Sequence, residues 1–283
     1  MTPPFRVRRA LLFVPAVRTD RYHKAVATGA DSVCIDLEDG VALGAKAEAR
    51  DAVLTFFARR EPTHAEVVLR INDPKTDLGQ ADVTALRNAA VRPDALMLPK
   101  ANGADEIVEV ESLLADVLPD LPLIVMVETA QGLAAAREIA AATPNVAAVF
   151  FGAIDFSADV GCAVEWDALL YARSRVVLAA ALAGTSAIDS PFMDVSAVEM
   201  LSEESQRVRR LGFMGKAAIH PTQVAVIQDA FSPSADEVRW AHKILEAYAQ
   251  NRGGVLLVDG KLIERPVIIA AERTLAIASK TGC

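Results

Sequence analysis

Six apolar runs in this sequence end on residues able to do chemistry. Asp36-Leu37-Glu38-Asp39-Gly40 closes one, Arg70-Ile71-Asn72 another and Pro99-Lys100 a third. Glu128-Thr129, Gly152-Ala153-Ile154-Asp155 and His220-Pro221-Thr222-Gln223 close three more. Carboxylates converging with an Arg and a Lys suit an anionic substrate and a hard cation. Mg²⁺ takes an octahedron of oxygens, often only one or two of them protein carboxylates. Glu128 and Asp155, on successive runs, are read as that pair, although each could instead cap the helix after its strand or pair with a base. Asp36, Glu38 and Asp39 read as partners orienting Arg70 or metal-bound water, with a salt bridge from Arg70 to Glu38 or Asp39. Asp36 and Asp39 are also candidates for the general acid/base should no other carboxylate serve. Lys100 could be a Schiff-base nucleophile, but acidic neighbours should keep it protonated and unreactive. Gly152 would let the backbone approach a bound acid closely. His220, before Pro221, reads chiefly as a residue fixing the last loop.

The elements that must position these groups alternate regularly. Strands are predicted over Ala10–Pro15, Ser32–Leu37, Glu66–Ile71, Ala95–Pro99, Leu123–Glu128, Val146–Phe151, Ser186–Asp189 and Phe213–Ile219. They are continuous apolar runs, as parallel strands buried on both faces should be. Helical patterns lie between them, among them Lys46–Arg59, Asp105–Ala115, Leu133–Ala142, Asp167–Ala183 and Val195–Leu211. Eight β-then-α units, with no GxGxxG in the first, predict a closed (β/α)₈ barrel rather than a doubly wound sheet. In a barrel, residues just past the C-terminal strand ends face the active site. Residues 1–232 are assigned to the barrel and 233–283 to an extension packed on it or on a neighbouring subunit. Within that extension Ser234–Asn251 predicts a helix with a capping-box start, ended by Gly253-Gly254. Val255–Glu264 predicts a hairpin turning at Asp259-Gly260, and Pro266 opens a last helix.

Bulk properties set the outer bounds. Of 283 residues 52% are hydrophobic, enough for a sizeable core without staples. A net charge of −8 and 5% aromatics argue against a nucleic-acid surface. No apolar run approaches the roughly 18 residues of a membrane span. Met1 to Arg9 does not read as a signal peptide. Cys34, Cys162 and Cys283 are scattered, as expected of incidental thiols in a reducing cytosol, so a cytoplasmic protein with neither a nucleic-acid nor a membrane partner is expected.

The runs Leu12-Phe13-Val14-Pro15, Asp36-Leu37-Glu38-Asp39-Gly40-Val41, Leu69-Arg70-Ile71-Asn72, Leu98-Pro99-Lys100-Ala101, Val127-Glu128-Thr129-Ala130, Gly152-Ala153-Ile154-Asp155-Phe156 and Ile219-His220-Pro221-Thr222-Gln223 closely resemble the citrate lyase beta-subunit-like family, which includes malyl-CoA and citramalyl-CoA lyases. The resemblance covers nearly the whole chain, with the motifs in family order. It implies a barrel of the phosphoenolpyruvate/pyruvate-binding type, Mg²⁺ on Glu128 and Asp155, and a substrate carboxylate on Arg70, whose planar fork Lys could not reproduce. It also implies cleavage of a 3-hydroxy-3-carboxy acyl thioester, on CoA or a carrier protein, into an acetyl thioester and a 2-oxo acid. Arg18, Arg21 and Lys24, after the first strand, would receive the CoA phosphates or phosphopantetheine arm, or else form a solvated helix face. A tail carboxylate of a neighbouring subunit is the expected acid/base. Glu264 occupies that place where relatives usually carry Asp, which leaves proton transfer possible with a longer reach. A homotrimer or dimer of trimers is expected with it. Two other readings stay open: the beta chain of a citrate lyase complex acting on citryl-carrier protein, and a non-catalytic protein that binds metal and 2-oxo acid.

Overall fold

The structure is a computed structural model; it describes residues 6–89, 91–251 and 255–281. Eight parallel strands close into a barrel in chain order: β1 (Ala10–Pro15), β2 (Ser32–Asp36), β3 (Glu66–Arg70), β4 (Ala95–Leu98), β5 (Leu123–Val127), β6 (Val146–Phe151), β7 (Ser186–Asp189) and β8 (Gly215–Ala218). Pairing of β1 with β8, Ala10 opposite Lys216, completes the ring. Its interior is filled by side chains from all eight strands, among them Leu11, Cys34, Val68, Met97, Ile124 and Phe150. Three strands match their predicted spans, and five are shorter, each losing its last residue and β8 its first two as well. Leu37, Ile71, Pro99, Glu128 and Ile219 thus stand in the mouth loops, where their neighbours are free for chemistry.

The outer layer is helical: α1 (Tyr22–Val26), α2 (Lys46–Arg59), α3 (Asp77–Ala89), α4 (Ala104–Leu114), α5 (Ala130–Ala134), α6 (Ala136–Ala140), α7 (Ala153–Val160), α8 (Trp166–Ala183), α9 (Val198–Leu211) and α10 (Thr222–Phe231). The single helix expected over Leu133–Ala142 is in fact α5 and α6. α5 starts early because Thr129 caps it, accepting a bond from Gly132 N at 2.9 Å, and the chain leaves helical geometry at Ala135 (φ −92°, ψ 11°). α9 starts three residues later than expected, because an Asp194 turn (Asp194 accepts from Ser196 N and Oγ) intervenes.

Away from the mouth, buried charges form ion clusters. Lys216 donates to Asp189 and Glu204, both at 2.7 Å, while Arg173 reaches Asp189 at 2.9 Å, tying β7 and β8 to α8 and α9. Beneath the barrel Arg8 forks onto Glu66, both contacts 2.7 Å.

Backbone contacts separate the chain into two compact units, residues 1–230 and 231–283. The second contains α11 (Ala235–Gln250), β9 (Leu257–Val258), β10 (Lys261–Leu262) and α12 (Arg265–Thr281). Ser234 and Glu237 form a reciprocal capping box. The hairpin turns through Asp259 (φ 49°) and Gly260 (φ 74°), the pair of positive angles a type I′ turn demands. Ala241, Ile244, Val258, Ile263, Ile268 and Ala271 form this unit's own small core. The break predicted at Gly253-Gly254 lies outside the described residues, as does Cys283.

Candidate active site at the barrel mouth

The C-terminal ends of the strands surround a cavity of about 350 Å³. Asp36, Asp39, Arg70, Glu128, Gly152 and Asp155 all face it, together with an apolar wall that the sequence reading did not single out.

The acidic loop after β2 is built around Asp36. Its two oxygens accept the backbone N–H groups of Glu38 and Gly40, both at 2.9 Å, folding the loop back on its own strand. A Cβ at position 40 would lie 2.7 Å from Asp36 Oδ2 and 3.2 Å from Pro15, so only glycine fits. The same carboxylate takes Nε and Nη2 of Arg70 at 2.7 and 2.8 Å, and Glu38 lies 2.8 Å from Nη1. Arg70 therefore pairs with Asp36 and Glu38, not with Asp39. Its two-pronged face is spent inside the protein, and the donor left toward the cavity is on Nη1, 3.9 Å from the thioether of Met126. Burial opposes the Arg70 charge, but Asp36 and Glu38 more than offset it and hold the guanidinium above its ordinary pKa.

Lys46 and Asn72 fix this loop from behind. Lys46 Nζ donates to the carbonyls of Leu37 and Glu38 at 2.7 and 2.6 Å and to Asn72 Oδ1 at 2.6 Å. Asn72 in turn donates to Asp82, which Arg50 clamps at 2.6 Å. Burial pulls the Lys46 pKa down, against the pull of Asp36 and Glu38.

Glu128 is the most constrained carboxylate of the mouth. It is fully buried; Oε1 accepts the backbone N–H of Lys100 at 2.8 Å, whereas Oε2 is buried with no hydrogen-bond partner. Burial first, then the charges of Glu38 and Asp155, push its pKa up to about 8 when no cation is present. Gly152 makes room for it, since a Cβ there would lie 2.4 Å from Oε2. Glu128 caps no helix, because Thr129 does so. Asp155 lies in the first turn of α7 and makes no hydrogen bond or ion pair among the described residues.

Lys100 adopts a left-handed backbone (φ 52°), rare for a side chain with Cβ, and that turn aims its N–H at Glu128. Its amine lies 3.0 Å from Glu38. Burial works against the charge, but Glu38 outweighs it and the Lys100 pKa is raised, so the amine is protonated. Ser190, after β7, ties the rim together by accepting Ala153 N at 2.7 Å and donating to Phe151 O. Gln223 bridges Ile219 N and Phe192 O at 2.9 and 2.8 Å. His220 bonds Thr222 at the start of α10, 2.8 Å, and fixes that loop.

Two expected site groups stand apart. Arg18 is neutralised by Asp20 at 2.9 Å, while Arg21 and Lys24 are exposed and make no ion pair among the described residues. Glu264 is exposed in the second unit, directly before α12. The mouth residues missed in the sequence are Phe13, Met126 and Phe150 on its floor and Ile154, Met193 and Ile219 on its rim. Phe13, Met126 and Phe150 look like any barrel-filling residue, and only their place at the inner strand ends gives them away.

Residues 9–221 match the family model for HpcH/HpaI aldolase/citrate lyase. The chain belongs to that family. It is 32% identical to a mitochondrial citramalyl-CoA lyase of Rattus norvegicus over 96% of this chain and 86% of that protein. It is 34% identical to a (3S)-malyl-CoA thioesterase of Cereibacter sphaeroides over 95% of this chain and 94% of the other. Among solved structures, CitE of Mycobacterium tuberculosis in complex with magnesium, acetoacetate and coenzyme A superposes with a TM-score of 0.81 at 34% identity, over 96% of this chain and 98% of that one. CitE of M. tuberculosis is also known with magnesium and pyruvate, and a citrate lyase beta subunit from M. tuberculosis with oxaloacetate and magnesium. Among the described residues no helix is long and apolar enough to cross a membrane.

Proposed function

We propose that this family member is a Mg²⁺-dependent carbon–carbon lyase, cleaving a 3-hydroxy-3-carboxy acyl thioester into an acetyl thioester and a 2-oxo acid. The observation that carries the proposal is Glu128 Oε2, a buried carboxylate oxygen without a partner in a cavity shared with Asp155. A divalent cation fits that pair: it would satisfy the orphaned oxygen and hold Glu128 ionised. Among the described residues no three His, Cys, Asp or Glu cluster to grip a metal unaided. That suits a hard ion that keeps positions for water and a chelating substrate. When bound, Mg²⁺ supplies a Lewis acid that draws charge onto the oxygen of a 2-hydroxy or 2-oxo acid.

The chain's own residues divide the remaining work. Arg70, held by Asp36 and Glu38, offers the substrate carboxylate the Nη1 donor that otherwise meets only the Met126 sulfur. Lys100 positions Glu128 through its backbone and adds a positive charge beside the site. Cleavage needs a base for the hydroxyl proton and an acid for the enolate carbon released from the broken C–C bond. Asp36 is unsuited, since both oxygens are occupied, whereas Asp39 is exposed, faces the cavity and makes no hydrogen bond or ion pair among the described residues. Glu264 from a neighbouring copy is the second candidate. Arg21 and Lys24 supply free positive charge for thioester phosphates.

Self-association is supported by α8, which is apolar inward through Leu169 and Val176 and also outward, where Tyr171, Leu178 and Leu182 are 70%, 53% and 62% exposed. The test of the whole reading is Mg²⁺ titration by calorimetry beside an assay with citramalyl-, malyl- and citryl-thioesters. Glu128→Gln and Asp155→Asn should abolish metal binding and activity together. Full activity in EDTA, with borohydride trapping of substrate on Lys100, would replace this reading with a Schiff-base one.

A further inference from the structure

Gly152 stands between the two carboxylates that the proposed function gives to the cation. Glu128 packs against it so closely that a Cβ at position 152 would lie 2.5 Å from Glu128 Cβ. Asp155 follows it by three residues, in the first turn of α7. The close approach demands glycine, and two weaknesses come with that residue. Its backbone is the least restrained of any, at the point where the spacing of the two carboxylates is decided. It is also the N-cap of α7, and the helix that carries Asp155 starts with no capping side chain of its own.

Ser190, in the loop after β7, makes good both. The two peptides flanking Gly152 carry four polar groups, and each can be followed to a partner. Gly152 N–H donates to Val127 O, and Gly152 O accepts from Phe156 N, both at 3.0 Å. The other two meet a single hydroxyl: Ser190 Oγ donates to Phe151 O and accepts from Ala153 N at 2.7 Å. A side chain from a different strand thus caps α7 and spans the glycine. Its own footing is firm. Ser190 is buried, and its neighbour Asp189 is locked between Lys216 at 2.7 Å and Arg173 at 2.9 Å, so the strand end that carries the hydroxyl is held. Mg²⁺ demands near-ideal placement of its oxygens, whereas Ca²⁺ accepts larger and less regular shells. A brace across the hinge between two carboxylates therefore favours the smaller ion.

We infer that Ser190 is a positioning residue of the cation site: by bracing Gly152 it sets the spacing of Glu128 and Asp155, and with it the preference for Mg²⁺ over Ca²⁺. This inference rests on the proposed metal-dependent reading. Its test is calorimetric titration of Mg²⁺ and, separately, Ca²⁺ into the wild-type protein, Ser190→Ala, Ser190→Cys and Ser190→Thr. Urea unfolding of the metal-free proteins verifies that each is folded. Ser190→Ala should weaken Mg²⁺ binding roughly five- to tenfold, the size of a lost helix cap, while Ca²⁺ binding changes less than about twofold. Ser190→Cys, close in shape but a weak donor and acceptor, should move in the same direction. Ser190→Thr keeps a capping hydroxyl and should stay within about threefold of wild type for both ions. A loss of general stability would weaken the two ions alike. That outcome, or wild-type Mg²⁺ affinity in Ser190→Ala and Ser190→Cys, or a Ser190→Thr no better than they are, would overturn the role of Ser190 and leave the lyase reading standing. A wild-type protein that binds no Mg²⁺ would overturn both.

Discussion

Lys100 shows how much of a site can hang on a backbone angle. Its left-handed conformation costs an L-residue roughly 1 kcal/mol or more, yet it delivers the N–H that fixes Glu128 Oε1. Glycine adopts that angle freely, which separates the two roles of the residue. Lys100→Gly keeps the N–H in place and removes the amine; Lys100→Ala removes the amine and retains the strain. If the backbone is what orients Glu128, both variants should bind Mg²⁺ within a few-fold of wild type while losing affinity for the anionic substrate. A proline at the same position lacks the N–H and should lose metal binding as well. Loss of metal affinity in Lys100→Gly, read by calorimetry, would assign the positioning to the side chain instead. At this scale the sequence was informative about residue type and poor about partnership. That Arg70 and the acidic loop meet could be read from their places at adjacent strand ends. That Asp36 rather than Asp39 takes the guanidinium could not, because it depends on which of two carboxylates the loop turns inward. Neither could the αL angle at Lys100, a position where glycine or asparagine would have been the visible signal.

At the scale of elements, the strands were legible because burial on both faces leaves continuous apolar runs. Their last residues were overrun because nothing in composition marks where a ladder stops and a mouth loop begins. The helix layer hid more, since the Lys46–Asn72–Asp82–Arg50 chain joins residues scattered over two helices and a loop. The ion cluster under β7 and β8 is of the same kind. Asp189 is fully buried between Lys216 and Arg173. Burial alone would raise its pKa, but those two cations win and its pKa is held below the ordinary carboxylate value. A carboxylate depressed on folding stabilises the native state above its unfolded pKa of about 3.9 and loses that contribution as pH falls through the lower, native value. Asp189→Asn leaves Lys216 and Arg173 short of a counter-charge and should cost about 3–5 kcal/mol. It should also flatten the acid limb of stability below about pH 4, measured by urea unfolding across pH. A variant as stable as wild type at pH 7 would show Glu204 to be a sufficient counter-ion.

For the whole molecule, the open question is how copies meet. Copies are proposed to meet through the outward apolar face of α8, with Glu264 of one copy serving a neighbour's site. The resemblance implies a homotrimer or dimer of trimers, to be checked by light scattering, and Tyr171→Glu with Leu178→Glu should shift it toward monomer. Glu264→Ala should retain Mg²⁺ and 2-oxo acid binding but lower turnover by roughly 10²–10⁴-fold. Mixing it with Asp155→Asn under subunit exchange should restore part of the activity. A fully active monomer, or no restoration despite proven exchange, would leave Asp39 as the acid/base. The tail's secondary structure was readable from short signals, the capping box at Ser234 and the Asp259-Gly260 turn. A docking surface leaves no comparable motif, only apolar residues where a helix should be polar.

Gln223 has a consequence for how this barrel can change. By holding Ile219 with one end of its amide and Phe192 with the other, it ties the seventh and eighth loops into one mechanical piece. Met193, one residue beyond the clamp, is exposed on the rim. Loop grafts that stop between the two strands would sever the amide's grip. Grafts that move the two loops together should preserve both hydrogen bonds and the fold of the rim, and grafts of either loop alone should loosen it.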